Sequence, residues 1–104
     1  FSYELWRHLD ATGVKLLARV VKNLILRPLR KLSDGSYVAK IYPSASGREK
    51  DSDGILVRVI RYTLDDPQRV GHGEVHILLT NLFDETRDSA EALIILLGVT
   101  QLMV

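Results

Sequence analysis

Hydrophobic and polar positions along the chain fall into runs of two different periods. Near the start, Leu5, Trp6 and Leu9 share one face at helical spacing, Ser2 stands where an N-cap belongs, and Gly13 follows where a left-handed residue ends a helix. This predicts a helix over residues 3–12, with Trp6 in a core and not serving as a base-stacking platform. Val14, Leu16, Ala18 and Val20 then alternate with Lys15, Leu17, Arg19 and Val21, the pattern of a largely buried strand. A helix feeding directly into a buried strand suggests half of a βαβ unit.

From Asn23 onward the period is two. Residues 24–32 and 36–42 are expected as strands joined by Ser33-Asp34-Gly35, because Asp-Gly supplies the backbone freedom a tight hairpin needs. Pro28 has no amide to donate, which puts the first of these strands at an edge or a bulge. Residues 43–54 mix Ser, Gly and charge and are expected as an exposed loop. Residues 55–64 form the longest strand, with Ile55, Val57 and Val59 on one face and Leu56, Ile60 and Tyr62 around Arg58 on the other. Such two-sided burial belongs to a central strand. After Asp65-Asp66-Pro67 and Gly71-His72-Gly73, residues 74–82 give another strand with Val75, Ile77 and Leu79 inward. Ser89 then precedes a helix over Ala90–Leu97, expected to stop at Gly98.

The chain's 104 residues suffice for one small domain, and 46% apolar against 26% charged residues is the balance of a folding, globular sequence. With no cysteine, disulfides and thiolate zinc sites are excluded, which suits a reducing, cytoplasmic setting. The apolar stretch Ala92–Val104 falls short of the roughly 20 residues a membrane-spanning helix needs, so no membrane partner is expected. The start at Phe1, with no basic segment leading into an apolar one, reads as an interior piece of a longer protein. The net charge of +1 is unevenly placed: residues 1–50 sum to +6 and residues 51–104 to −5. A basic half permits phosphate contact without demanding it.

Candidate chemistry is sparse. His72, Glu74 and His76 alternate as metal ligands on a strand would, but His72 lies between two glycines, where strict alternation fails, and we read these residues as structural. Asp65 and Asp66 would point to opposite faces of a strand and, before Pro67, read as turn residues and not as a catalytic pair. No phosphate loop, nucleophile elbow or dinucleotide fingerprint occurs. What remains is a set of cations, Arg27, Arg30, Lys31, Lys40, Arg48, Lys50, Arg58 and Arg61, that could pair with DNA phosphates and release counterions.

Several runs together resemble a known family. Phe1-Ser2-Tyr3-Glu4-Leu5-Trp6, Leu17-Ala18-Arg19-Val20 and Leu32 to Ser44 are followed by Val57 to Pro67, Gly71-His72-Gly73-Glu74 and Leu78-Leu79-Thr80-Asn81-Leu82. In order and spacing they are similar to the insertion-sequence-four group of bacterial DDE transposases, over residues 1 to about 97. The resemblance implies an α/β fold: a partial ribonuclease-H-like core (helix plus strand in 1–22, a C-terminal helix in 83–104) with an inserted antiparallel β meander in 23–82. It also implies a parent activity of metal-dependent DNA strand cleavage and transfer, with double-stranded DNA as partner. In that activity two Asp and one Glu hold Mg or Mn, and the paired cations activate a water or a 3′-hydroxyl. The Asp-x-Gly-aromatic and Tyr-x-x-Arg-x-x-x-Glu motifs that carry those carboxylates do not occur here; residues 97–104 read Leu-Gly-Val-Thr-Gln-Leu-Met-Val instead. No catalytic residue and no cofactor is therefore assigned to this chain. The expectation is an inactive transposase fragment, with a non-catalytic DNA-binding or interaction module, or a degenerate remnant, as the alternatives.

Overall fold

The computed structural model describes residues 1–20, 24–63, 68 and 73–102, with 98–102 as backbone only. In chain order the elements are α1 (Tyr3–Ala11), β1 (Leu17–Val20), β2 (Arg30–Lys31), β3 (Tyr37–Ile41), α2 (Ala45–Lys50), β4 (Ile55–Thr63), β5 (Val75–Thr80) and α3 (Ala90–Leu102). The protein is mixed α/β, with one five-stranded sheet in the order β1-β5-β4-β3-β2. Every pairing is antiparallel, so β2 to β5 form the expected meander and β4 is central.

The strand alternation sorts the core into two layers. On one face Tyr37, Ala39, Ile41, Val57, Val59, Ile77 and Leu79 pack with Trp6 of α1 and with Leu26. On the other, Ile60 and Leu78 pack with Leu93 of α3. β5 is therefore buried on both faces, and Leu78 and Thr80 are as enclosed as Ile77 and Leu79. Trp6 is a core residue as expected, while Leu5 beside it is 58% exposed. The Trp6 indole N–H is buried without an acceptor among the described residues.

Four expectations give way to the structure. The βαβ half-unit is replaced by an antiparallel edge: β1 follows α1 but pairs with β5, Leu17 opposite Thr80. Thr80 Oγ1 donates to Leu16 O at 2.7 Å, and Asn81 accepts from Leu16 N at 2.7 Å and donates to Val14 O at 2.7 Å and to Asp10. These bonds seal the α1–β1 corner onto the end of β5. The strand expected over 24–32 shrinks to Arg30–Lys31, because Pro28 has no amide to continue a ladder; Leu29 N alone reaches Val38 O ahead of the paired residues. Within the loop expected at 43–54, Ser44 caps α2 by accepting from Gly47 N at 3.0 Å, and Asp51 ends the helix at φ 50°. Helix α3 runs through Gly98 to Leu102, since an interior glycine only weakens a helix.

Candidate nucleic-acid interface

The β3–α2 side of the sheet gathers three of the eight candidate cations. Arg27 from the segment before β2, Lys40 from β3 and Arg48 from α2 line one open pocket of about 200 Å³, together with Ile25, Leu29 and Tyr42. Each wall has a local cause. Lys40 and Tyr42 alternate with the buried Ala39 and Ile41, so the pleat turns them away from the Trp6 core. Likewise Ile25, Arg27 and Leu29 alternate with Leu24 and Leu26, which pack into that core. Arg48 sits in the last turn of α2, where a cation complements the helix carbonyls.

Asp51 organises the pocket from outside. It accepts from Tyr42 Oη at 2.6 Å and from Lys40 Nζ at 3.1 Å. The Tyr42 hydrogen bond, then the Lys40 contacts, hold the Asp51 carboxyl below its ordinary range, and the same bond raises the Tyr42 phenol. Gly54 lies against both side chains: a Cβ there would come within 2.8 Å of Tyr42 Cε1 and 2.9 Å of Lys40 Cδ. Arg27 and Arg48 make no ion pair or side-chain hydrogen bond among the described residues. Lys40 is partly neutralised by Asp51, so the pocket keeps two uncommitted guanidiniums for an anion.

The other candidates do not converge there. Arg58 is fully buried and is a structural residue, a correction to its reading as a phosphate contact. Its guanidinium donates to Ser36 Oγ at 3.0 Å, Leu82 O at 3.0 Å, Asp88 O at 2.6 Å and Asp34 Oδ2 at 2.7 Å. Arg61 on the same strand donates to Tyr37 Oη at 3.0 Å. Arg30 and Lys31 stand exposed on the edge strand β2, and Lys50 is exposed at the end of α2. The residues that sequence reasoning missed are Tyr42 and Gly54; Tyr42 follows a buried isoleucine and carries no charge to single it out.

Among the described residues no group of three or more His, Cys, Asp or Glu comes together to hold a metal ion. His76 stacks on Tyr62 with ring centroids 5.2 Å apart; His72, Asp65 and Asp66 lie outside the described residues. No helix among the described residues is long and apolar enough to cross a membrane. Comparison with protein-family models, curated proteins and solved structures finds no match to this chain.

Proposed function

We propose that this chain is a segment of a DDE-type DNA transposase that contacts the phosphate backbone of DNA without itself carrying the cleavage chemistry. The observation that carries the reading is the meeting of Arg27, Lys40 and Arg48 on one pocket from three separate stretches of chain. Guanidinium and ammonium groups so placed neutralise neighbouring phosphates and displace condensed counterions. The ordered series of family-like runs from Phe1 to Leu82 supports the family side of the reading. Mg or Mn belongs, in this reading, with carboxylates of the intact parent enzyme. Arg30, Lys31 and Lys50 extend the basic surface along β2 and α2, and Arg58 serves the fold.

The test is binding of a labelled DNA duplex across a salt series, with magnesium or manganese present and the DNA recovered for product analysis. The expected result is complex formation that weakens as salt rises, with the duplex intact. Absence of binding at low salt would sink the DNA reading, and cleaved product would sink the non-catalytic one.

A further inference from the structure

The Asp-Gly step occurs at Asp34-Gly35 and again at Asp53-Gly54. In such a step the glycine amide can attack the aspartyl side-chain carboxyl, because glycine has no Cβ to shield its nitrogen and lets the backbone rotate toward the carboxyl. The dipeptides are identical, so a difference in their reactivity comes from the fold. Asp34 is held at every reacting atom. Its carboxylate accepts from Ser36 N at 3.0 Å, from Ala90 N at 2.9 Å and from Arg58 at 2.7 Å, as well as from the Ser36 hydroxyl. Gly35 N, the nucleophile of that step, donates to Leu32 O at 3.2 Å. Burial alone would raise the Asp34 carboxyl, but these bonds bring it down to about 2 and leave little of the neutral acid from which water can depart. Asp53 lacks such restraint. It is exposed between α2 and β4 at φ 60°, a left-handed backbone that is strained for an L-residue. Among the described residues its carboxyl makes no hydrogen bond or ion pair, and Gly54 N has no backbone acceptor. The peptide unit between them is tethered at its carbonyl, where Asp53 O accepts from Tyr3 Oη at 2.6 Å in an exposed contact.

We propose that Asp53-Gly54 is a site of spontaneous isoaspartate formation in the folded protein and that the fold protects Asp34-Gly35 from the same reaction. Gly54 N bonds to Asp53 Cγ, the amide proton and the carboxyl hydroxyl leave as water, and a succinimide ring closes. Water then returns to the ring. Opening at the side-chain carbonyl restores aspartate; opening at the main-chain carbonyl leaves the chain running through Cβ and Cγ, with a free α-carboxylate. The product has unchanged mass and an added methylene in its main chain. Tyr42 and Lys40 lie so close over Gly54 that a Cβ there would come within 2.8 Å of Tyr42 Cε1 and 2.9 Å of Lys40 Cδ, so the lengthened chain displaces that wall of the basic pocket.

The unsubstituted protein tests this when it is aged at neutral pH in heavy-oxygen water, folded in one arm and unfolded in urea in the other. Digestion and electron-transfer mass spectrometry then locate isoaspartate and the incorporated oxygen. In the folded arm, isoaspartate should form at residue 53 at least about tenfold faster than at residue 34, since each unit by which a carboxyl pKa is lowered makes its neutral form about tenfold scarcer. In urea, where neither step keeps its surroundings, the two rates should nearly coincide. Equal rates at both residues in the folded arm would overturn the protection of Asp34. A residue 53 that reacts in urea and stays unchanged in the folded arm would overturn the site itself.

Discussion

Among the described residues, the ion pairs Arg58–Asp34 and Lys40–Asp51 tie loops to strands, and burial makes them unequal. Arg58 and Asp34 have side chains 0% and 19% exposed, whereas Lys40 and Asp51 are 30% and 62% exposed. Removing one partner of the enclosed pair strands a charge, so Arg58→Met should lower the urea-derived stability by about 3 kcal/mol. Asp51→Asn keeps a residue that tolerates the left-handed backbone, and because water screens the exposed pair it should cost much less. Near-equal losses would mean that the Arg58 cluster is not the fold's anchor. Acid should act through the same carboxylate. Burial alone would raise Asp34, but hydrogen bonds from Ser36 and Ala90 and the Arg58 charge outweigh it and bring the group from 3.8 to about 2. The unfolded chain then protonates first as pH falls. The contribution, about 2 kcal/mol at most, is whole above the unfolded value and disappears as pH drops through the folded one. Urea midpoints at about pH 5 and about pH 2 should differ in the native protein and differ less in Asp34→Asn.

At the scale of elements, the same Asp34 links the β2–β3 turn to α3, where its Oδ2 accepts from Ala90 N at 2.9 Å. Ser89 Oγ accepts from Ala92 N at 3.2 Å, so two side chains share the N-terminus of one helix. Ser89→Ala should cost about 1 kcal/mol and speed hydrogen exchange in the first turn of α3, with β4 amides unchanged. Equal acceleration in both would show that the helix end and the sheet open as one unit. The contrast marks what is legible in the sequence. Ser89, Gly35 and the alternation of β4 are local signals and lead to the right elements. Asp34 reads locally as a turn residue; its second task joins residues 56 positions apart, which no local pattern encodes. Arg58 misleads for the same reason, since a lone cation among apolar strand residues looks solvent-facing until its acceptors on two loops are known. Helix α2 hides because Ser, Gly and charged residues also make turns, and only the Ser44 cap distinguishes the two.

For the whole molecule, sheet order decides what the uneven charge means. The basic half of the sequence supplies β1 at one edge of the sheet, β2 and β3 at the other, and α1 packed on one face through Trp6, while the acidic half supplies β4 and β5 between those edges. A linear split of +6 and −5 is therefore spread over both sides of the central strands and does not fold into one basic hemisphere. Among the described residues, Arg27, Lys40 and Arg48 share a pocket on the β3–α2 side, whereas Arg7 and Lys15 lie outside it, on and after α1. Salt dependence distinguishes the two sets of cations, because each phosphate neutralised adds about 0.9 to the slope of log affinity against log salt. Replacing both Arg27 and Arg48 by Glu should flatten that slope by about 2, one step for each phosphate left without its guanidinium. Replacing Arg7 and Lys15 by Glu makes the same change in net charge and should leave the slope nearly as it was. If both double variants flatten it equally, the protein attracts DNA through its overall field and the pocket has no special claim. If only the Arg7 and Lys15 variant does, the interface lies on the α1 side of the molecule.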